Sequence, residues 1–334
     1  MIKDISIVIP IYNEENNIED LYAELKENTK NLNAEIIFID DGSTDNSWDK
    51  IKEIAKKENI KAIKLSRNYG QTAALKAGID IASKEFILTM DGDLQNDPSD
   101  IKNLIVAMTD DCDLVSGWRR NRKDKFFTRI LPSKIANFII SYITGIKLKD
   151  YGCTLKLYRA SFLKDIELFG EMHRFIPALI SYKGGKIKEI EVNHRPRLKG
   201  KSKYGLERTF KILIDIITVK FMGEFILKPL YLFGGISIFL GLISIGLALI
   251  TLYNKLYNHI FVKDQPLFLV AIFIALAGIQ IGLIGILSEI VVRTYYLSSR
   301  KSYFNIKERI CQIQKENIPV REEIKEEPKT GNWK

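Results

Sequence analysis

Two long apolar stretches near the C-terminal end constrain this chain more than any other feature of its sequence. Leu230–Leu252 and Leu267–Leu287 each run for more than twenty residues without a charged side chain. At about 1.5 Å of rise per residue, a helix of that length crosses a hydrocarbon layer of about 30 Å. Buried helices of soluble proteins are seldom so continuously apolar, so the sequence predicts two membrane-spanning helices, at residues 230–252 and 267–290.

The charges beside these stretches predict their orientation. Positively charged flanks stay on the cytoplasmic side of a membrane, so we expect both ends of the chain in the cytoplasm and a location in the cell (inner or plasma) membrane. Seven Lys and Arg residues lie outside the pair and two lie in the connection: Lys211, Lys220, Lys228, Arg293, Arg300, Lys301 and Lys307 against Lys255 and Lys263.

Glycines in both stretches predict close helix packing. Small residues let helix backbones approach, either within the pair or against a second copy of the chain, and we therefore expect a homo-oligomer. The glycines in question are Gly234, Gly235, Gly241, Gly246, Gly278, Gly282 and Gly285.

The bulk composition sets broader limits. The 334 residues suffice for one large domain or two smaller ones, and the net charge of +9 indicates an anionic partner: nucleic acid, acidic lipid or a phosphorylated substrate. Cys112, Cys153 and Cys311 are scattered and odd in number, which favours a reducing compartment and ordinary packing roles. Met1 leads almost directly into an apolar run, so we expect no signal peptide and a cytoplasmic N-terminal region.

The first 117 residues alternate between short apolar runs and helix-like segments. This pattern predicts an α/β fold with a mostly parallel sheet covered by helices on both faces, which binds its ligands at the carboxyl ends of the strands. The runs are Ile5–Ile9, Ile36–Ile39, Ala62–Leu65, Phe86–Met90 and the weaker Leu114–Ser116, and the helical segments are Asn17–Thr29, Asp45–Lys57, Gln71–Ile81 and Pro98–Met108.

Acidic residues follow three of the first four predicted strands. Asp91 and Asp93 come directly after the fourth run, with Gly92 between them to let the backbone turn. Two carboxylates at an exposed sheet edge are hard oxygen ligands, which suit a divalent ion and a diphosphate. An acidic turn that only caps the next helix is the alternative, and the segment Asp41–Asp45 has the same alternative because its last three residues are all good caps.

The motifs at these strand ends resemble those of a known enzyme family. The chain contains, in this order, Val8-Ile-Pro-Ile-Tyr-Asn-Glu14, Ile39-Asp-Asp-Gly-Ser-Thr-Asp45, Asn68-Tyr-Gly-Gln-Thr-Ala-Ala74 and Asp91-Gly-Asp-Leu-Gln-Asn-Asp-Pro98. They are similar to the successive motifs of family 2 glycosyltransferases with the GT-A fold. Within that family the likeness is to polyprenyl-phosphate glycosyltransferases, such as bactoprenol glucosyltransferases and dolichol-phosphate mannose synthase. The resemblance extends from about residue 5 to residue 310 and implies a Rossmann-like catalytic domain.

The resemblance implies a nucleotide-sugar site and a metal site at the same sheet edge. Asp91, Asp93 and Gln95 would hold Mg²⁺ or Mn²⁺, an ion that bridges the diphosphate oxygens and neutralises charge on the leaving nucleotide. The nucleotide sugar would contact Pro10, Tyr12, Glu14, Asp41, Asn68, Gln71, Asp91 and Asp93.

A basic segment precedes an apolar one in the middle of the chain. Residues 119–129 carry six positive charges against one acid, and Ile135–Ile143 is apolar enough for a membrane interface. Basic residues beside an amphipathic helix, predicted here at 126–145, suit an acceptor with a phosphate head and a lipid tail. A solvated charged face is the ordinary alternative for such a run.

A second basic segment, Arg197–Tyr204, contains a glycine and could close over phosphates, although a flexible linker has the same composition. The family resemblance implies that both segments hold the acceptor phosphate. The residues concerned are Arg119, Arg122, Arg129, Ser133, Arg197, Ser202 and Lys203.

Asp150 follows the predicted interfacial helix, and its role stays open. The resemblance implies a catalytic base or a sugar contact, whereas a structural turn contact is equally compatible with the sequence. A phosphate monoester has a second pKa of about 6, so the acceptor is already anionic at neutral pH and needs no strong base. We treat Asp93, Asp150 and Arg197 as the candidate catalytic residues.

The predicted organisation follows from these segments. A GT-A domain at 1–207 ends with a hairpin or edge strand within Gly184–Arg195 and is followed by a juxtamembrane amphipathic helix at 208–225. Beyond the two membrane helices we expect a strand at 302–310 that returns to the catalytic domain and a disordered tail at 314–334.

The sequence therefore predicts an inverting transfer of a sugar, with UDP-glucose as the first choice of donor, to polyprenyl (undecaprenyl) phosphate in the bilayer. A processive polysaccharide synthase is less compatible, because none of Trp48, Trp118 and Trp333 lies in a Gln/Arg-x-x-Arg-Trp motif. A non-catalytic scaffold for anionic lipid is a further alternative. No nucleic acid is expected as a partner, since the basic residues cluster beside apolar interfacial segments.

Overall fold

The N-terminal part of the chain alternates between strands and helices as the sequence predicts. The computed structural model describes residues 2–120, 131–196, 215–226 and 228–299. All five predicted strands and all four predicted helices are present, with bounds that differ by a few residues. They are β1 (Asp4–Ile11), α1 (Ile18–Asn28), β2 (Asn33–Asp40), α2 (Ser47–Lys57), β3 (Lys61–Lys64), α3 (Gln71–Ile81), β4 (Phe86–Thr89), α4 (Ile101–Ala107) and β5 (Leu114–Trp118).

The second part of the domain adds two strands to the same sheet. Its elements are α5 (Leu131–Thr144), β6 (Lys156–Arg159), α6 (Ala160–Leu163), α7 (Ile176–Tyr182) and β7 (Ile187–Glu191). The seven strands have the order β3-β2-β1-β4-β6-β5-β7. Only β6 runs antiparallel, inserted between β4 and β5, while β7 pairs in parallel with β5. Residues 184–195 therefore supply an edge strand and not a hairpin.

Both faces of the sheet are buried, which explains the nearly unbroken apolar runs of its strands. In β1, Ile7 and Ile9 pack into the core under α1, α2 and α4, while Val8 packs into the core on the opposite face with α3 and α7. The register pairs Ile11 with Asp40 of β2 in parallel. Since β4 lies on the other side of β1, the carboxyl ends of β1, β2 and β4 meet at one edge.

Glu35 ties four segments together at the opposite end of the sheet. Its carboxylate accepts hydrogen bonds from Ser6 Oγ at 2.7 Å and from Ser83 N at 3.0 Å, and it is paired with Lys61. Burial by itself raises the pKa of Glu35, but these partners outweigh it and lower the pKa to about 2. The charged form of Glu35 is therefore the one that stabilises the fold.

Replacing Glu35 with Gln is expected to lower stability by about 1 kcal/mol at pH 7, an amount that allows for the partial exposure of Lys61. Because the folded pKa of Glu35 is depressed, its contribution is complete above the unfolded pKa of about 4.3 and is lost as pH falls towards the folded value. Thermal unfolding of both proteins in detergent between pH 7 and pH 3 measures this. A gap between the two melting temperatures that widens in acid contradicts the prediction.

Two long apolar helices follow the α/β domain. The helices α8 (Pro229–Tyr257) and α9 (Pro266–Ser299) are long and apolar enough to cross a membrane. Little of the most apolar part of each helix is buried within the protein. The helices pack against each other where α9 has glycines. Positions for an added Cβ at Gly278 and Gly282 lie 3.3 Å from Leu240 and 2.9 Å from Ser237. The prediction of glycine-mediated packing is confirmed for this face of α9.

Two segments that we expect at a membrane surface are partly described. Helix α5 leaves Ile135, Phe138 and Tyr142 exposed, as an interfacial helix requires. Before α8, residues 215–220 are helical and Phe221–Phe225 continues them as a π-helix. Their place in the membrane interface stays a prediction. The predicted strand at 302–310 and the tail at 314–334 lie outside the described residues.

Candidate active site

The loops that follow β1 and β2 are joined by hydrogen bonds. Ser43 Oγ accepts from Asn13 N at 2.9 Å, and Asn13 Oδ1 accepts from Thr44 N at 2.8 Å. Further along, Asp45 Oδ2 accepts from the Glu15 amide at 3.2 Å. The segment after β2 thus does more than cap α2, whose N-cap residue makes no side-chain cap hydrogen bond. These hydrogen bonds join the loops after β1 and β2 into one surface at the carboxyl edge of the sheet, which we call the wall.

Three residues that are predicted to contact the nucleotide belong to this wall. Pro10, Tyr12 and Glu14 are half-buried at the end of β1 and just beyond it. The Glu14 amide donates to Ser47 Oγ at 2.9 Å, which fixes the backbone there. A further predicted contact, Asn68, is exposed in the loop before α3. The structure brings these residues to one edge, and their contact with a nucleotide stays a prediction.

Asp41 orders the loop that precedes α3. Its Oδ1 accepts from Tyr69 N at 2.8 Å and its Oδ2 from Gly70 N at 2.9 Å. Gly42 must be glycine, because its φ is +67° and a Cβ would stand 2.3 Å from the carbonyl carbon of Arg67. Burial raises the pKa of Asp41, and the two amide hydrogen bonds oppose that rise. Each carboxylate oxygen has another lone pair, so Asp41 can also accept from a bound nucleotide.

Asp91 and Asp93 follow β4 at the centre of the edge. Gln71 Nε2 donates to Asp91 Oδ1 at 2.8 Å, and the hydroxyl of Thr154 donates to the same carboxylate. Asn96 Nδ2 supports that hydroxyl from 3.0 Å. Burial, together with the charge of Asp93, raises the pKa of Asp91 to about 6. A divalent cation beside such a pair would favour its ionised form.

The turn that carries Asp93 is held in an unusual conformation. Leu94 has a φ of +60°, which is rare for a bulky residue and is found where the surroundings impose it. Gln95 N donates to Asp93 Oδ1 at 3.1 Å, and Arg195 N donates to Gln95 O at 2.9 Å. Arg195 is also paired with Asp97 at 2.9 Å. The segment after β7 therefore clamps the turn so that Asp93 and Gln95 belong to one rigid unit.

Asp91, Asp93 and Gln95 are the residues that would hold a divalent ion. Among the described residues, no cluster of three or more His, Cys, Asp or Glu side chains could hold a metal by itself. Mg²⁺ commonly takes one or two carboxylates from the protein and completes its shell with water and substrate phosphates. The raised pKa of Asp91 and the oxygen-only ligands fit Mg²⁺ or Mn²⁺ bound together with a diphosphate.

Arg119 and Asp150 form a buried ion pair beside this edge. Arg119 Nε lies 2.7 Å from Asp150 Oδ2 and Arg119 Nη2 lies 3.0 Å from Asp150 Oδ1, with the two side chains 13% and 4% exposed. Glu189 supports the pair by accepting from the Asp150 amide at 3.0 Å. Burial opposes the charge of Arg119, but Asp150 outweighs it and raises the pKa of the guanidinium. Arg119 also interacts electrostatically with Asp91, so its fixed positive charge lies within electrostatic range of that carboxylate.

Comparison with known proteins places this site in a family. The profile described as Glycosyl transferase family 2 matches residues 6–167. Dodecaprenyl-phosphate galacturonate synthase of Rhizobium johnstonii is 40% identical over 300 residues, which cover 88% of this chain and 89% of that protein. The chain belongs to glycosyltransferase family 2. Undecaprenyl-phosphate 4-deoxy-4-formamido-L-arabinose transferase of Aeromonas hydrophila subsp. hydrophila is 36% identical to this glycosyltransferase over 308 residues, 91% of this chain and 93% of that one.

Solved structures confirm the GT-A fold of this glycosyltransferase. Glucosyl-3-phosphoglycerate synthase from Mycobacterium tuberculosis, in complex with Mn²⁺, UDP and glucosyl-3-phosphoglycerate, matches with a TM-score of 0.53 and 17% identity over 66% of this chain and 80% of that chain. The same enzyme in complex with Mg²⁺ and UDP matches with a TM-score of 0.52 and 16% identity, covering 66% and 79%. At this level of identity the likeness concerns the fold alone.

The structure describes only two of the residues that are predicted to hold the acceptor phosphate of this glycosyltransferase. Of that set, Arg119 is described in full, and only the backbone of Ser133 is described, near the start of α5. Their contact with an acceptor stays a prediction. The others lie outside the described residues: Arg122, Arg129, Arg197, Ser202 and Lys203.

Sequence reasoning missed several residues of this glycosyltransferase that lie next to the site. Lys156 is buried in β6, and its ammonium donates to the carbonyl oxygens of Tyr151 and Cys153, on the turn that begins at Asp150. Burial lowers the pKa of Lys156. His173 Nδ1 lies 2.7 Å from Thr72 Oγ1. A lysine inside the apolar run 155–158 was the one available signal, but the run is too short to distinguish a buried strand from a turn.

Proposed function

We propose that this glycosyltransferase moves a sugar from a nucleotide diphosphate sugar to a polyprenyl phosphate, in one displacement that inverts the anomeric carbon. The observation that carries the proposal is the electrostatic interaction of the buried Arg119 guanidinium with Asp91, which together with Asp93 forms a carboxylate pair at the sheet edge. A carboxylate pair suits a metal diphosphate, and a fixed guanidinium suits a second phosphate, so the site can hold two phosphorylated substrates side by side. The relatives from Rhizobium and Aeromonas, which are named for transfer to dodecaprenyl and undecaprenyl phosphate, support the lipid acceptor.

The donor nucleotide would lie along the wall formed by the loops after β1 and β2. Both loops are fixed by their own hydrogen bonds, so the base and ribose would meet a preformed surface at Tyr12, Glu14 and Asp41. The diphosphate would then reach Asp91, Asp93 and Gln95. A Mg²⁺ or Mn²⁺ ion bound there supplies positive charge to the leaving diphosphate.

The acceptor phosphate would be held by Arg119 and attack the anomeric carbon directly. The phosphate is largely ionised at neutral pH, because its second pKa is about 6, and needs no residue to remove a proton. Both carboxylate oxygens of Asp150 already accept hydrogen bonds from Arg119. We therefore assign Asp150 a positioning role in place of the base considered from the sequence. The basic segments with Arg129 and Arg197 would add further contacts.

The lipid tail would leave the site along the membrane side of the domain. The exposed apolar residues of α5 and the two apolar helices α8 and α9 support an active site held at the membrane surface. The distribution of Lys and Arg supports a cytoplasmic face for the domain and for both ends of the chain. A homo-oligomer remains part of this proposal.

A transfer assay tests the proposed function. Purified protein with undecaprenyl phosphate, Mg²⁺ or Mn²⁺ and a panel of labelled nucleotide sugars, including UDP-glucose, should move label into the organic phase from at least one donor. Because the diphosphate has to be neutralised as it leaves, EDTA should remove the transfer and added Mg²⁺ or Mn²⁺ should restore it. Lipid extraction followed by scintillation counting gives the readout.

Two outcomes contradict the proposal. Label in the organic phase that EDTA leaves unchanged contradicts metal-assisted departure of the nucleotide. No label from any donor, with a folded protein that still binds anionic vesicles, favours the lipid scaffold that the sequence left as an alternative.

A further inference from the structure

A small cavity adjoins the edge that carries Asp91 and Asp150. On one side it is lined by Thr154, whose hydroxyl donates to Asp91. On another side it is lined by Gly152, where a Cβ would lie 3.3 Å from Arg119 Nη2 and 3.6 Å from Asp150 Oδ1. The cavity therefore adjoins both Asp91, which in the proposed function faces the donor diphosphate, and Arg119, which in that function holds the acceptor. If the proposed function is correct, the transferred sugar occupies this interval.

The cavity is small and its polar lining is basic. Its volume is about 10 Å³, roughly the room that one water molecule needs. A sugar ring does not fit, but a single substituent of a ring that lies outside can enter. Three basic side chains line it, namely Lys156, His173 and Arg174, and none of the described residues that line it is acidic.

Lys156 and His173 are fixed in place at the cavity. Lys156 is 2% exposed, and the structure gives its ammonium two acceptors, the carbonyl oxygens of Tyr151 and Cys153. An ammonium group has three N–H donors, which leaves one for a ligand in the cavity that Lys156 lines. His173 is 6% exposed and is held by its Nδ1 contact with Thr72 Oγ1 at 2.7 Å. Both side chains are therefore buried and held in place by the protein, unlike mobile surface side chains.

We propose that this cavity receives a carboxylate oxygen of the transferred sugar, so that the donor is a nucleotide diphosphate hexuronic acid. A buried ammonium beside a histidine and an arginine gains a charge-assisted hydrogen bond from a carboxylate, whereas a neutral hydroxymethyl group returns only an ordinary one. This inference replaces UDP-glucose, the donor predicted from the sequence, with a donor that carries a carboxylate at C6 in place of the hydroxymethyl group.

The acids near the cavity do not oppose an anionic sugar. Asp150 is neutralised by its two contacts with Arg119. Asp91 accepts from Gln71 and Thr154 and would face the divalent ion bound with the diphosphate. Both carboxylates therefore have a positive partner other than the basic groups that line the cavity.

Matched donors test this inference. The full-length protein in detergent, with undecaprenyl phosphate and Mg²⁺, is assayed with UDP-glucuronate against UDP-glucose and with UDP-galacturonate against UDP-galactose, pairs that differ only at C6. We expect kcat/KM for at least one uronate to exceed that of its neutral partner by about 10- to 100-fold. Transfer of neutral hexoses at equal or higher kcat/KM overturns the inference and leaves the proposed function intact. No transfer from either uronate overturns the inference, and the proposed function fails with it only if no other nucleotide sugar of the wider panel is transferred.

Variants separate recognition from folding. Lys156→Met and His173→Gln should lower kcat/KM for the uronate by about 10- to 100-fold and change that for its neutral partner by less than about threefold. Lys186→Gln, an exposed lysine paired with Asp111, is the control and should change neither. His173→Gln keeps the test decisive if loss of the buried lysine prevents folding. An equal loss for both donors in His173→Gln means a structural role and overturns the inference.

Discussion

Asp93→Ala is expected to lower sugar transfer by at least about 10³-fold, the effect of losing several kcal/mol of charge stabilisation on a departing diphosphate. The side chain is buried in a turn whose strained Leu94 and whose contacts with Gln95 hold it in one orientation. Binding of nucleotide that depends on metal should disappear with it. Both effects can be measured, the first as label in extracted lipid and the second by titrating Mn²⁺ in the presence of UDP.

The matched control for Asp93→Ala is Asp80→Ala, which removes an exposed carboxylate from the last turn of α3, at the opposite end of that helix from Gln71. It should leave both readouts unchanged. Normal turnover in Asp93→Ala would remove the metal-assisted mechanism from consideration.

Asp150→Ala is expected to lower the acceptor kcat/KM by about 100-fold and the melting temperature by about 10 °C, because it leaves the charge of Arg119 buried without its partner. The loss of activity should appear mainly as a higher KM for polyprenyl phosphate, since a guanidinium that is no longer held in place binds the acceptor poorly. Steady-state kinetics with varied acceptor and thermal unfolding in detergent measure the two effects.

Asp150→Asn distinguishes positioning from base catalysis. This variant keeps a hydrogen-bond acceptor for Arg119, so part of the acceptor affinity should return, and the pH dependence of its kcat should keep the shape seen in the unchanged enzyme. If Asp150 were the base, the acidic limb of that profile would be lost while KM stayed the same.

The parts of the fold that were predictable from sequence are those in which one local pattern decides the outcome. Runs such as Phe86–Met90 are buried on both faces, so they contain little but apolar residues, and the acids directly after them have to lie at the carboxyl edge. The same argument brought Asp41, Asp91 and Asp93 to one edge, as the structure has them.

The parts that escaped prediction depend on pairing between distant segments. Strand β6 has only four residues, one of them Lys156, and it is inserted antiparallel between β4 and β5, which no local pattern reports. The role of Asp41 in holding Tyr69 and Gly70 depends on contacts across almost thirty positions of the chain. The bond between His173 and Thr72 spans a longer separation still.

The ion pair between Arg119 and Asp150 joins two residues that are 31 positions apart in the chain. The segment between these two residues includes α5, with its outward-facing Phe138 and Tyr142. The ion pair joins the two ends of that segment and, in the proposed function, holds the acceptor phosphate. If α5 lies in the membrane interface as proposed, a displacement of this helix would reach the ion pair through the short segment 145–149 that joins α5 to Asp150.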